Sequence, residues 1–179
     1  MKLSISKALI AALTLVMATV TGASAKSTNQ PRSLNDQVHH ALVMLPWYGV
    51  FDDLQYQLNG SEVVLTGDVT SLHSQTKSDA EKAVQRIEGV TKVVNNIQVL
   101  PPSNFDDQLR RAEFRAIFSR ADLGRYTLGA IPQIHIIVDN GHVTLQGTVI
   151  NQMDRNIAGI AANGVSGVFS VTNNLRVAG

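Results

Sequence analysis

The sequence predicts an α+β protein made of two tandem α-β-β-α-β units, each a three-stranded mixed sheet with two helices on one face. Three observations predict this class. The stretch KVVNNIQVL at 92–100 returns as SVTNNLRVA at 170–178. A hairpin pattern and a helical pattern precede both stretches in the same order. A chain of 179 residues is long enough for two small domains, which we expect at 33–100 and 103–178, joined by Pro101-Pro102.

A helical pattern opens each unit. In SLNDQVHHALVML, Ser33 suits an N-cap, apolar residues recur at helical spacing, and Pro46 ends the pattern. Its counterpart, NFDDQLRRAEFRAIF, begins at Asn104. Asp107 lies 71 positions (107 − 36) after Asp36, whereas the later elements are about 80 positions apart. The second copy therefore carries extra residues between its first helix and its first strand.

Each helix is followed by a hairpin pattern. Asn140-Gly141 suits a type I′ turn, because both central residues of that turn need φ > 0. Placing this pair at the tip leaves one apolar face, and we expect the opposite face to be exposed to water. The apolar pairs are Val138 with Val143, Ile136 with Leu145 and Ile134 with Gly147; the opposite face carries His135, Ile137, Asp139, His142, Thr144 and Gln146. The pattern at 54–69 is the same, with a loop that we expect to be one residue longer.

A second helix and a last strand complete each unit. The helix KSDAEKAVQRIEG and its counterpart each end at a glycine, Gly89 or Gly167, which suits a C-terminal stop. Asn95 and Asn173 fall on the apolar face of the last strand. Either a bulge shifts the strand, or each amide meets a backbone partner. The apolar residues expected on that face are Val93, Ile97 and Val99, and Val171, Leu175 and Val177.

The start of the chain predicts a cleaved signal peptide at 1–25 and a short linker at 26–32. Two lysines precede an apolar run of 13 residues (20 − 8 + 1), and Ala23-Ser24-Ala25 has the small-x-small pattern of a cleavage site. The run is short for a membrane span, which needs about 20 residues. We therefore expect a periplasmic protein without a transmembrane span.

The composition excludes two further classes. Without the two leader lysines the chain has 13 basic and 14 acidic residues, a net charge of −1. A near-neutral chain lacks the electrostatic footprint of a nucleic-acid binder. The chain has no cysteine, so neither a disulfide nor a lipidated cysteine stabilises or anchors it.

The chain resembles the BON-domain family, named after bacterial osmotically induced and nodulation proteins. The resemblance rests on VVLTGDV and VTLQGTV, on Gly89-Val90 and Gly167-Val168, and on VVNNIQV and VTNNLRV, in the same order in both copies. It covers nearly the whole chain after the leader. It implies a non-enzymatic envelope protein, similar to osmotically induced periplasmic proteins. The roles proposed for such proteins are phospholipid binding and chaperone-like protection of envelope proteins.

No catalytic or metal-binding motif opposes this interpretation. The sequence contains no HExxH, Gly-x-Ser-x-Gly or P-loop pattern. His135, Asp139 and His142 share one face of a hairpin, but two or three weak ligands near a turn are usually solvated rather than metal-bound. We predict neither an enzyme nor a cofactor.

The segment LPWYGVFDD at 45–53 is the first candidate binding feature. It holds the single tryptophan, Trp47, together with Tyr48 and Phe51. Amphipathic aromatic side chains suit a water–lipid boundary. Equally, a small domain needs large side chains to close its core. The sequence leaves these alternatives open.

A cluster of arginines in the second copy is the second candidate. Guanidinium groups bind phosphate bidentately, so the cluster predicts a site for anionic phospholipid headgroups. The alternative is a solvated helix face in which Glu113 pairs with neighbouring arginines. The first copy has His39-His40 where the second has two of these arginines. The expected lipid-binding residues are Arg110, Arg111, Arg115, Arg120, Arg125 and Tyr126, with Trp47 and Tyr48 from the first copy.

An apolar patch on the last helix is the third candidate. Ile157 and Ile160 widen the apolar surface of NIAGIAANGVSGVF beyond that of its charged counterpart, and the expected patch consists of Ile157, Ile160 and Val165. We expect the other domain to cover this patch, or else a lipid or a partner protein. The predicted function is association with anionic phospholipid surfaces, possibly under envelope or osmotic stress. The alternative is a periplasmic chaperone or scaffold that binds envelope proteins through this helix. The oligomeric state is not predicted.

Overall fold

The computed structural model describes residues 32–129 and 131–179. The predicted signal peptide at 1–25 and nearly all of the linker at 26–32 lie outside the described residues. Across the described ranges, no helix has the length and apolar character needed to cross a membrane.

The predicted α+β class with two α-β-β-α-β units is confirmed. The elements of the first copy are α1 (Leu34–Val43), β1 (Asp53–Asn59), β2 (Glu62–Val69), α2 (Gln75–Gln85), β3 (Lys92–Asn95) and β4 (Gln98–Val99). Those of the second copy are α3 (Asn104–Phe118), β5 (Ile134–Asp139), β6 (His142–Val149), α4 (Gln152–Asn163), β7 (Ser170–Asn173) and β8 (Arg176–Val177). In both copies the last strand is divided into two short segments.

The middle strand of each sheet runs antiparallel to its hairpin partner and parallel to the divided last strand. The predicted registers are confirmed: Tyr56 lies opposite Leu65, as Ile136 lies opposite Leu145. The expectation of a longer first loop was wrong. Asn59 faces Glu62 directly, so both turns contain two residues.

The asparagines on the last strands follow the second of the two alternatives left open by the sequence, because each amide meets backbone partners. The strand is interrupted after each of them, but its register against the middle strand is the same on both sides of the interruption, so no bulge shifts it. Asn95 Nδ2 donates to the Lys77 carbonyl at 2.8 Å, and Asn173 Nδ2 donates to the Arg155 carbonyl at 2.8 Å. The expectation that Val99 and Val177 are buried was wrong, because each lies in a two-residue segment beyond the interruption and is about 40% exposed.

Each copy has its own core between its helices and its sheet. The extra residues of the second copy enlarge that core, because Leu123 and Tyr126 from the connection between α3 and β5 are fully buried. A glycine in the middle strand allows the hairpin backbone to approach closely. A Cβ on Gly67 would lie 2.1 Å from the Asp53 carbonyl oxygen, and one on Gly147 would lie 2.0 Å from that of Gln133.

The segment between α1 and β1 joins the two copies. The Ile136 amide of β5 donates to the Val50 carbonyl at 2.8 Å, and Val50 and Phe51 pack against the core of the second copy. His135 and Ile137 are therefore buried, with 7% and 5% of their surfaces exposed. The expectation that this face of β5 is open to water was wrong for these two residues, because the first copy lies against this part of the strand, as where Tyr48 stacks on His135; Asp139, at the hairpin tip, is exposed as expected.

The expected interdomain role of the α4 patch was also wrong. Ile160 is 70% exposed, while Ile157 and Val165 pack against the core of their own copy. The contact between the copies uses the segment before β1 instead, because that segment supplies both a backbone carbonyl and apolar side chains to the edge of β5.

Candidate functional site

Helix α3 is held in place at its N-terminus by two side chains. The Ser103 hydroxyl accepts a hydrogen bond from the Asp106 amide at 3.2 Å, which is an N-cap. The buried Asp106 carboxylate accepts hydrogen bonds from the Asn140 and Gly141 amides at 3.1 and 2.9 Å. The start of the helix is thus fixed to the tip of the β5–β6 hairpin, which orients the remaining side chains of α3.

Arg110 does not belong to the exposed arginine cluster. Its side chain is only 4% exposed. One guanidinium nitrogen donates to the Val138 carbonyl on β5, and another donates to Asp107 at 2.6 Å. The prediction that Arg110 contacts lipid was wrong, because its charge is directed at the outer edge of the sheet.

Tyr126 and Arg125 are also engaged within the fold. Tyr126 is 1% exposed; its hydroxyl donates to the Asp154 carboxylate and accepts from the Ile150 amide at 2.9 Å. The prediction that Tyr126 contacts lipid was wrong, because this tyrosine is a core residue. The Arg125 guanidinium forms an ion pair with Asp154 at 3.3 Å and stays 45% exposed.

Arg111 and Arg115 form the exposed part of the cluster. They are four residues apart, so they lie on successive turns of α3. Neither forms an ion pair or a side-chain hydrogen bond within residues 32–129 and 131–179. Arg120 is also exposed, just beyond the C-terminal end of α3.

Two open pockets flank Arg111 and Arg115. One has a volume of about 240 Å³ and is lined by these arginines with Val50, Phe51 and Phe114. The Phe51 and Phe114 rings meet edge to face, with centroids 6.3 Å apart. The other pocket has a volume of about 330 Å³. It is lined by both arginines with Phe105, Gln108, Leu109, Ala112 and Ser166. We refer to Arg111, Arg115, Phe105, Phe114 and Phe51 as the α3 surface.

The aromatic segment divides between two environments. Tyr48 stacks on His135 with ring centroids 5.2 Å apart, and its hydroxyl lies 3.4 Å from His135 Nε2. Burial and the nearby Asp53 carboxylate raise the pKa of Tyr48 above its ordinary value. Tyr48 is thus a contact between the copies, which corrects its expected role at a lipid boundary. Trp47, by contrast, is 59% exposed beside His73 and Leu72.

Asp52 is a structural residue that the sequence did not reveal. Its buried carboxylate accepts hydrogen bonds from the Thr70 amide at 2.8 Å and the Gly49 amide at 3.2 Å, and it lies 2.8 Å from His73 Nδ1. It fixes the segment before β1 to the corner between β2 and α2. In the sequence, Asp52 stands beside Asp53 in a segment without a periodic pattern, and nothing there indicates that its carboxylate is buried.

Glu113 also differs from the sequence-based interpretation. It is fully buried, and neither carboxylate oxygen has a partner within the described ranges. Burial raises its pKa from 4.5 to about 7. The suggested pairing of Glu113 with neighbouring arginines was wrong, because its side chain lies on the core-facing side of α3.

The comparisons with known proteins establish the family. The model of the BON domain matches residues 37–101 and 106–179, so the chain belongs to the BON-domain family. This family is not enzymatic. Membership indicates a location in the periplasm or the cell envelope. No curated protein matches the chain.

The solved structures that are similar to the chain include two of CdsD, a structural protein of the type III secretion system of Chlamydia trachomatis. The C-terminal domain of CdsD is 12% identical over 82% of this chain and 98% of that chain, with a TM-score of 0.32. A second CdsD structure is 12% identical over 81% of this chain and 92% of that chain, with a TM-score of 0.30.

Proposed function

We propose that this chain is a non-enzymatic periplasmic protein that associates with anionic phospholipid surfaces through the α3 surface, in a role connected with envelope or osmotic stress. The observation that carries the proposal is the pair of exposed guanidinium groups, Arg111 and Arg115, between two partly apolar pockets. Arg120 adds positive charge just beyond the end of the same helix, whereas the charge of Arg125 is paired with Asp154.

The chemistry of the α3 surface fits a phospholipid headgroup region. Guanidinium groups bind phosphate oxygens bidentately. Basic side chains near an anionic membrane each contribute about 1 kcal/mol. Phe105 and Phe114 are 45% and 37% exposed beside the arginines, and aromatic rings are favoured at the boundary between headgroups and acyl chains. The surface therefore offers charge and apolar contact side by side.

The first copy lacks the same charges. With the offset of 71 between the first helices, Arg111 and Arg115 correspond to His40 and Met44 (111 − 71 and 115 − 71). Unlike arginine, histidine loses its charge around neutral pH. The proposed lipid contact therefore belongs to the second copy, and Trp47 of the first copy is a separate exposed feature.

The proposal is tested by co-sedimentation of the chain from residue 26 onward with vesicles. Vesicles with and without anionic lipid are compared at low and high salt. Arg111→Gln/Arg115→Gln should weaken binding to anionic vesicles roughly 30-fold, from about 1 kcal/mol for each arginine. A matched control is Lys82→Gln/Arg86→Gln, which removes two cations at the same spacing from the end of α2, where Arg86 is the C-cap residue.

The expected result is salt-sensitive pelleting with anionic vesicles only, lost in the α3 variant and kept in the α2 control. Equal weakening by both double variants would show that net charge alone drives pelleting. Binding that is insensitive to salt, or that does not distinguish neutral from anionic vesicles, would contradict the proposal.

A second candidate function is protection of other envelope proteins through α4. The exposed apolar residues near and on this helix support it: Ile150, Met153 and Ile160 are 56%, 69% and 70% exposed. Large exposed apolar side chains that lie close together are typical of protein-binding surfaces. Suppression of the aggregation of an unfolded client without lipid, and its loss in Ile160→Glu, would favour this function over lipid binding.

A further inference from the structure

The outer edge of β1 has backbone groups that no other strand pairs with. In a hairpin with a two-residue turn, alternate residues pair inward with the neighbouring strand, and the residues between them point outward. Asn59 opposite Glu62 closes the β1–β2 hairpin. The N–H and C=O groups of Leu54, Tyr56 and Leu58 therefore point away from β2. Within the described ranges, no other backbone group bonds to those of Tyr56 or Leu58.

The second copy protects the equivalent edge. On β5, Val50 accepts from the Ile136 amide, and Arg110 donates to the Val138 carbonyl. The residue of the first copy that corresponds to Arg110 is His39 (110 − 71), which is exposed. The edges of the two homologous sheets thus differ, although their cores follow the same plan.

The opposite edges of the two sheets differ in the same way. Arg155 on α4 donates to the Asn173 and Leu175 carbonyls at 2.9 and 2.8 Å, which covers the edge of the last strand. The corresponding residue of the first copy is Lys77 (155 − 78). Its ammonium group makes no such bond among the described residues. The first copy is therefore the one whose sheet edges remain available.

Strand β1 also lacks the usual devices that prevent edge pairing. Edge strands are commonly protected by lysine, by proline, by a bulge or by being very short. The strand Asp53–Asn59 has seven residues, contains neither lysine nor proline, and pairs with β2 without a bulge. Its only charged residue is Asp53, at the end nearest the second copy. A long, regular and nearly uncharged edge favours the addition of another strand.

The sequence of β1 indicates which strand would fit. Residues 54–58 read Leu-Gln-Tyr-Gln-Leu, which is the same in both directions. If two copies of β1 pair antiparallel about a two-fold axis at Tyr56, each leucine faces a leucine and each glutamine faces a glutamine. Tyr56 of one chain then faces Tyr56 of the other, with its outward N–H and C=O groups in a hydrogen-bonded pair.

We propose that the chain forms a two-fold symmetric dimer in which β1 pairs antiparallel with β1 of a second copy, giving one continuous six-stranded sheet. The self-complementary contact satisfies the requirement of an isologous interface. The two Tyr56 residues exchange two backbone hydrogen bonds, and the Leu58 amide of each chain donates to the Leu54 carbonyl of the other. These contacts give about four backbone hydrogen bonds. The added strand also brings apolar side chains to the partly buried side chains of Leu54, Tyr56 and Leu58. This inference is independent of lipid binding.

The test uses charges placed on the exposed face of β1, where Gln55 would lie opposite Gln57 of the second copy. Gln55→Lys/Gln57→Lys puts like charges opposite each other and should raise the dimer dissociation constant at least about tenfold. Gln55→Lys/Gln57→Glu puts opposite charges there and should retain the dimer. Both variants alter the same exposed positions, so their folded states should be equally stable by thermal unfolding.

Sedimentation velocity over a wide concentration range measures the result. We expect a dimer for the natural chain and for the Lys/Glu variant, and a monomer for the Lys/Lys variant at the same concentration. The proposal is overturned if the natural chain stays monomeric at several hundred micromolar. Binding of an unrelated extended peptide to the edge of β1 would not rescue it, because the proposed occupant is a second copy of the chain. A Lys/Lys variant that dimerises as tightly as the Lys/Glu variant overturns this arrangement as well.

Discussion

Glu113 combines an ionisable group with a site that excludes water. Its carboxylate is buried without a partner, and burial raises its pKa from 4.5 to about 7. The folded chain therefore holds this proton more tightly than the unfolded chain does. The resulting stabilisation is fully present below pH 4.5, and it is lost as the pH rises through about 7.

Replacing Glu113 with glutamine should remove this pH dependence. The shift corresponds to at most about 3–4 kcal/mol, since each pKa unit is about 1.4 kcal/mol. The natural chain should lose free energy of unfolding as the pH rises from 5 to 8, whereas Glu113→Gln should not. The difference between them, measured by urea unfolding, should therefore shift in favour of the variant as the pH rises. The exposed Glu88→Gln is the control and should follow the natural chain. Parallel stability curves for Glu113→Gln and the natural chain would contradict the assigned environment.

A side chain at Gly147 would clash with the neighbouring backbone, whereas a side chain at Gly60 would not. Its φ is +121°, and a Cβ there would lie 2.0 Å from the Gln133 carbonyl oxygen. Gly60 also has positive φ, at +63°, but a Cβ there would meet no atom within 4 Å. Gly147→Ala should cost about 3 kcal/mol or more, and Gly60→Ala about 1 kcal/mol, in thermal unfolding. Equal losses would show that backbone conformation alone matters at Gly147.

The sequence predicted residue environments unevenly. Arg110 and Arg111 are adjacent and identical in chemistry, yet one is buried at a sheet edge and the other is exposed. Helical periodicity gives a face only approximately, and it does not show whether a guanidinium meets a carbonyl of another element. The same applies to Tyr126, whose partner Asp154 is 28 positions away.

At the scale of elements, the hairpins were the most predictable parts. Asn140-Gly141 fixes the turn, and the alternation on both strands then fixes the register, so the predicted pairs are the observed pairs. The segment between α1 and β1 was not predictable in this way. It has no periodic pattern, and its conformation depends on Asp52, which binds groups both before and after it in the chain.

Asp52→Ala should destabilise the first copy by about 2–3 kcal/mol. The substitution leaves the buried Thr70 amide without an acceptor, and an unsatisfied buried group costs about 1–3 kcal/mol. It also releases the Gly49 amide and His73. Asp122→Ala, at an exposed position, should change stability little. Urea unfolding measures both variants, and equal effects would show that the Asp52 contacts contribute nothing beyond an ordinary surface acid.

At the scale of the whole molecule, the tandem order was predictable from the repeat, but the contact between the copies was not. The repeat relates elements within each copy, whereas the contact joins Val50 and Phe51 of one copy to β5 of the other. These residues have no equivalent relation in the second copy. The apolar side chain of Ile160 led us to expect an interface between the copies on α4. Ile160 is exposed instead. An apolar residue in a sequence does not reveal which element, if any, covers it.

Tyr48→Ala should loosen the two copies relative to each other. The substitution removes the ring that stacks on His135 and the hydroxyl beside it. We expect a lower thermal midpoint and faster independent tumbling of the copies in ¹⁵N relaxation measurements. Trp47→Ala alters the neighbouring aromatic residue, which is exposed, and should leave the tumbling unchanged. Unchanged tumbling in Tyr48→Ala would show that this stacking does not couple the copies.

The central claim, that the second copy contacts anionic membranes through the α3 surface, is tested most directly by amide NMR with lipid bilayer discs that carry a spin-labelled phospholipid. With anionic discs, we predict paramagnetic broadening centred on Arg111 and Arg115 and extending to Phe51 and Phe114. The amides of α2 and of its C-cap residue, which include those of the control cations Lys82 and Arg86, should stay sharp. Broadening centred on α2, on α4 or on Trp47 and Leu72, with α3 unaffected, would contradict the claim.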